Sequence, residues 1–126
     1  MTLVIGGAYQ GKLAYALNRF GLQESDVYFC SEEKTAMPQA KRVINGIDKW
    51  ILALVRVNAD VPSEITNFLK NRGDSIIICD DISCGVVPMD ATSRKWRDAV
   101  GRAMAVVAQS SDEVVRLFCG IPSIIK

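Results

Sequence analysis

Histidine is absent from this chain. That absence excludes every mechanism that needs an imidazole as base, nucleophile or metal ligand. Cysteine is sparse: Cys30, Cys79, Cys84 and Cys119 stand at spacings that fit no zinc pattern. They read as small buried apolar residues of a reducing compartment. Charge of one sign is not in excess, the net being +1, so neither a nucleic-acid nor a membrane surface is expected. No apolar run is long enough to span a bilayer and no signal-peptide pattern occurs, so the expected location is cytoplasmic. Linkers, repeats and low-complexity tracts are also lacking. The 126 residues, 49% apolar and 23% charged, are therefore expected to form one domain, 1–126.

What is there begins at the N-terminus. The apolar run Leu3-Val4-Ile5 leads into Gly6-Gly7-Ala8-Tyr9-Gln10-Gly11-Lys12-Leu13. This is the Gly-x-x-x-x-Gly-Lys spacing of a P-loop, with Leu13 where a Mg²⁺-gripping Ser or Thr is expected. Such a loop holds phosphate because its backbone N–H groups point inward and the following helix presents its positive end. Lys12 would reach the terminal phosphates. The plain alternative is a Gly-rich β–α turn. Leu13 is in phase with Ala16, Leu17 and Phe20, so it extends the buried face of the helix and offers no metal ligand. Ser31 and Thr35 are the substitute hydroxyls considered.

Further along, Val27 to Cys30 reads as a strand and Ser31 to Gln39 as a loop. Residues 40–57 are ambiguous: one long helical face, or a strand over 43–47 followed by a helix opened by Asp48. Pro62 opens a helix carrying Ile65, Phe68 and Leu69 and closed by Arg72-Gly73. Ser75 to Cys79 is a strand, Ile76-Ile77-Ile78-Cys79, ending in Asp80-Asp81. Asp90, following Pro88, caps a helix to about Gln109. Val114 to Cys119 is a buried strand, and 121–125 a short edge strand. Strands that alternate with helices and read as apolar runs predict an α/β fold, a mainly parallel sheet with helices on both faces.

Asp80-Asp81 at a strand end resembles a Walker-B arrangement, one carboxylate near a metal-bound water and the other orienting an attacking group. The alternative is a polar end to a buried strand. Asp48 is a further acid if 43–47 is a strand. Arg94 and Arg97 lie three apart on the last helix, with Asp98 four beyond Arg94. They read as a solvated face with local ion pairs, or as an anion clamp. No metal-ligand set is read; Mg²⁺ enters only as the companion of a nucleotide.

The second half carries a resemblance. Asp80-Asp81-Ile82-Ser83-Cys84-Gly85-Val86-Val87-Pro88 is followed by Arg94-Lys95-Trp96-Arg97-Asp98, Gly101-Arg102, Asp112-Glu113-Val114 and Gly120-Ile121-Pro122. This resembles the adenosylcobinamide kinase/adenosylcobinamide-phosphate guanylyltransferase family, and Gly6-Gly7 with Gly11-Lys12 is similar to that family's start. The resemblance implies a RecA-like P-loop domain, usually a homotrimer. It implies ATP- or GTP-dependent phosphorylation of adenosylcobinamide, then GMP transfer through a guanylyl-histidine, in cobalamin (vitamin B12) biosynthesis. The catalytic candidates, read from the residues themselves, are Lys12, Asp48, Asp80 and Asp81. Gly6 to Leu13, with Arg94 and Arg97, are the nucleotide-binding candidates. The chain departs from the pattern at Leu13, at Asp80-Asp81 in place of Asn-Glu, and at Met104 in place of Asn. The guanylylated histidine is missing and the central region is short. A kinase step is retained as an expectation, a guanylyl-histidine step is not, and the alternative is an inactive nucleotide- or corrinoid-binding relative.

Overall fold

The structure, a computed structural model, describes residues 1–82 and 90–126. Expectations that fall on Cys84 and Pro88 lie outside the described residues. The chain runs β1 (Thr2–Gly6), α1 (Lys12–Phe20), β2 (Val27–Phe29), β3 (Val43–Asn45), α2 (Ile47–Arg56) and α3 (Val61–Leu69). It continues with β4 (Ile76–Asp80), α4 (Ala91–Ser110), β5 (Glu113–Phe118) and β6 (Ile121–Ile124). The six strands form one sheet in the order β2-β3-β4-β1-β5-β6. The first five are parallel and β6 closes the edge antiparallel to β5. This is the mainly parallel α/β architecture that the alternating pattern and the family resemblance both imply.

Helices cover both faces, unequally. On one side α1 lays Ala16, with Leu13, Leu17 and Phe20, over Val4, Val43, Ile76, Ile78 and Leu117. On the other, α2, α3 and α4 cover Leu3, Ile44, Ile77, Cys79 and Val114 with Trp50, Ile51, Leu54, Phe68, Val100 and Val107. Adjacent residues of each central strand thus point to opposite cores, so β4 is apolar from Ile76 to Cys79 and turns polar only at its C-terminal end. Each fully buried side chain of this kind contributes about 1.5–3 kcal/mol.

The ambiguity over 40–57 resolves as strand then helix. Val43–Asn45 pairs with both β2 and β4, and Gly46 then turns the chain at φ 84°. Helix α2 carries no solvent face to speak of: Ile47, Asp48 and Trp50 to Val55 are all buried. Asp60 caps α3 by accepting the Ser63 N–H at 3.3 Å, and Asp90 caps α4 by accepting the Ser93 N–H at 2.7 Å.

Three expectations need correction. Helix α3 ends at Leu69 and does not run to Arg72-Gly73. Asn71 takes a left-handed φ of 60°, and Arg72 folds back so that its Nε donates to the Phe68 carbonyl at 2.9 Å. Cys119 is exposed, because it sits at φ 51° in the tight β5–β6 turn rather than inside the strand. β5 is only half buried, Arg116 and Phe118 being exposed, because one side of the sheet has no helix there.

Candidate functional site

In a parallel α/β sheet, ligands gather where the strands end at their C-terminal edge. Three neighbouring strands, β3, β4 and β1, bring Asp48, Asp80 and the Gly6–Leu13 loop to that edge.

The loop leaves β1 at Gly6, where a Cβ would meet the Leu117 carbonyl oxygen at 2.5 Å. Only glycine permits so close an approach of β1 to β5. Gly11, at φ 82°, then sets the first turn of α1. Among the described residues, the backbone N–H groups of Ala8, Tyr9, Gly11, Lys12 and Leu13 find no acceptor. Orphan amides in a turn at a helix N-terminus form a concave donor set for an anion. Gln10 ties the loop down by accepting the Cys119 N–H through its side-chain oxygen. Tyr9 stands at the tip, left-handed at φ 61° and fully exposed.

Lys12 is the first residue of α1, yet it is only 6% exposed. Its Nζ donates to the Gly7 carbonyl at 2.6 Å and pairs with Asp80 Oδ1 at 2.6 Å. A buried ammonium needs such partners, and here the loop itself and the end of β4 supply them. Leu13 packs with the α1-side core, as its helical phase predicts. Ser31 accepts the Glu33 N–H with its hydroxyl at 3.1 Å, and the Thr35 carbonyl accepts from Trp50 Nε1 at 2.9 Å. No contact among the described residues brings either hydroxyl to the loop.

Asp48, in the first turn of α2, is 3% exposed. Its Oδ1 accepts the backbone N–H of Asp80 at 3.2 Å. Burial pushes its carboxyl above the usual aspartate range, the Asp80 N–H offsets part of this, and the negative charge of Asp80 adds to it. Asp80 thus binds Lys12 with its side chain and Asp48 with its backbone. Asp81 is half-buried; its N–H donates to the Gly6 carbonyl at 2.7 Å, which ties β4 to the start of the loop. Nearby, burial first and Asp48 second push Cys30 up to about 12. Burial likewise raises Cys79 well above a free thiol. Neither is a nucleophile at neutral pH.

Arg94 is exposed, and no contact among the described residues carries it to the loop. Arg97 is half-buried and partnered. Asp98 pairs with Arg102 at 3.2 Å. Trp96 of α4 touches the site: its Nε1 donates to the Asp48 carbonyl at 2.8 Å. Sequence reasoning gave Trp96 no role; its signal was one aromatic ring inside a charged stretch.

The loop does not fit a metal held at the start of α1. Position 13 presents methyl groups where a hydroxyl is needed, and the Asp80 oxygen nearest the loop is engaged by Lys12.

No curated protein matches the chain. The family model for cobinamide kinase / cobinamide phosphate guanyltransferase matches residues 33–125, from the loop after β2 to the last strand. The Gly6–Leu13 loop lies before that match, so its assignment rests on its own geometry. With most of its length matched in this way, the chain belongs to the cobinamide kinase / cobinamide phosphate guanyltransferase family.

Proposed function

We propose that this chain binds the phosphates of GTP or ATP in the Gly6–Leu13 loop and serves cobalamin biosynthesis by the kinase step of its family, without the guanylyl-histidine step. The observation that carries this reading is Lys12: a buried ammonium 2.6 Å from Asp80 at the mouth of a loop of orphan amides. An incoming terminal phosphate replaces Asp80 as the partner of Lys12 and accepts the loop N–H groups. Positioning and charge supply most of the catalysis in phosphoryl transfer. The acceptor hydroxyl of adenosylcobinamide forms a bond to the terminal phosphorus, the bond to the leaving diphosphate breaks, and the hydroxyl proton passes to a carboxylate. Asp48, with its raised proton affinity, and the released Asp80 are the acceptors within this group, and Asp81 positions β4 against the loop. Guanylyl transfer by the family's route needs a histidine nucleophile, and the chain has none.

A second reading, a nucleotide- or corrinoid-binding relative without turnover, is favoured by the packing of Leu13 in the core. Thermal shifts with GTP, ATP and cobinamide, with and without Mg²⁺, separate the two by linkage. Nucleotide stabilisation with phosphorylation of cobinamide is expected; stabilisation without turnover selects the binder. No shift with any ligand, and none lost in Lys12→Ala, sinks both. Incubation with radiolabelled GTP is expected to leave no protein label that survives base and is lost in acid.

A further inference from the structure

Tyr9 is the one aromatic residue between Gly6 and Leu13. Its backbone is left-handed at φ 61°, a conformation that glycine adopts freely and a residue with a side chain does not. It is 103% exposed. It makes no hydrogen bond or ring contact among the described residues. The ring therefore adds no packing to the fold, while the backbone beneath it is strained. Strain of this kind gathers where a loop meets a ligand.

The neighbours of the loop set which side of the site Tyr9 serves. Strand β1 runs between β4 and β5. On the β4 side Lys12 pairs with Asp80 at 2.6 Å, and a terminal phosphate that replaces Asp80 is held there. On the β5 side Gly6 lies against the Leu117 carbonyl. There Gln10, next to Tyr9, accepts the N–H of Cys119 in the β5–β6 turn. A nucleotide with its terminal phosphate toward β4 extends its other end toward β5, past the loop tip. That end carries a planar base, and a free aromatic face is what a base stacks on. We infer that Tyr9 is the base platform of this loop, stacking on the purine of the bound nucleotide. The inference rests on the proposal that the loop holds nucleotide phosphates. A ring face reads the π surface of a purine and not its edge. Tyr9 therefore favours a nucleoside triphosphate over bare phosphates without choosing between guanine and adenine. This gives a reason for a ring at a position where glycine would relieve the backbone.

The test is calorimetry of the whole protein, Tyr9→Gly and Tyr9→Phe with GTP, ATP and inorganic tripolyphosphate, which carries the phosphates without a nucleoside. The parent is expected to bind both nucleotides at least ~10-fold more tightly than tripolyphosphate. Tyr9→Gly is expected to lose about tenfold for both nucleotides and nothing for tripolyphosphate. Tyr9→Phe, which keeps the ring, is expected to retain the preference of the parent. Glycine relieves the left-handed backbone and removes no packed side chain, so the thermal midpoint of Tyr9→Gly should stay close to that of the parent. Three results overturn the inference and leave the phosphate site standing: a nucleotide-to-tripolyphosphate ratio unchanged in Tyr9→Gly, a loss confined to one of the two purines, or a preference lost in Tyr9→Phe. Absence of binding by all three ligands overturns the phosphate site as well.

Discussion

Lys12 and Asp48 stand on opposite sides of Asp80, one opening α1 and the other in the first turn of α2. Both are buried charges at a β–α turn, and they are held in different ways. Lys12 has a full counter-charge at 2.6 Å and a carbonyl beside it. Among the described residues Asp48 has no cation in contact; the Asp80 amide donates to it, and its proton affinity rises. The first turn is long and leaves its amides open, whereas the second is closed by a single glycine and roofed by Trp96. The difference teaches a division of labour: a cation whose partner can be exchanged suits phosphate, and an acid that resists ionisation suits a proton.

The largest effect is expected at Lys12. Lys12→Ala removes the charge-assisted contacts to the terminal phosphates and should weaken GTP or ATP at least ~100-fold, about 2.7 kcal/mol, measured by calorimetry. The freed Asp80 carboxylate is partly exposed and can hydrate, so the fold should survive. Retained affinity in Lys12→Ala would break the comparison, because the cation would then be structural only.

Gly6→Ala comes next. The new methyl would lie 2.5 Å from the Leu117 carbonyl oxygen, so β1 and β5 must part, at a cost of about 1–3 kcal/mol. Gly7→Ala is the control, since its nearest neighbour is the movable Gln10 Cγ at 3.7 Å. Equal denaturation midpoints for the two variants would show that the loop is not pinned at Gly6.

Much of the first turn was legible in the sequence and less of the second. The spacing from Gly6 to Lys12 names both a turn and a ligand, and Leu13 fell into phase with Ala16 and Leu17. Residues 43–55 carried only Gly46 as punctuation, with no ligand signature beside it. Val43, Ile44, Ile47, Ile51, Leu54 and Val55 all fit one helical face, so the helical period runs on through Val43–Asn45 and does not mark where the strand ends. Pairing with β2 and β4 decides the matter, and pairing is not local. Asp48 was therefore a conditional candidate. Arg72 was read as the end of a helix because Arg-Gly resembles a C-terminal stop. Its burial depends on Pro38, 34 residues away, folding over it.

Asp48→Asn tests the acid side, with a smaller effect and a defined pH dependence. The folded protein holds the Asp48 proton more firmly than the unfolded chain does. Between the ordinary aspartate value and the raised one, the folded state therefore carries more protons, and stability falls as pH rises through that window. Asparagine keeps the acceptor for the Asp80 N–H and removes the charge. The variant should be the more stable protein at neutral pH, and the gain should vanish as pH falls below the ordinary aspartate range. Urea denaturation of both proteins from pH 3 to pH 8 checks this, and a pH-independent difference would contradict it. Phosphorylation of cobinamide, where measured, should fall in the same variant.

The smallest effect is expected from Leu13→Ser, which bears most directly on what the first turn has become. Leu13 is only partly buried against the α1-side core. Its loss should cost about 1–2 kcal/mol, less than a fully enclosed leucine. The serine places a hydroxyl one residue after Lys12, where a P-loop holds Mg²⁺. If the loop geometry is otherwise intact, nucleotide binding in Leu13→Ser should become more dependent on Mg²⁺ than in the parent, by calorimetry with and without EDTA. A destabilised variant with unchanged Mg²⁺ dependence would mean that more than position 13 separates this turn from a metal-assisted one. The exchange of Asp80 between Lys12 and solvent would then be the next difference to alter.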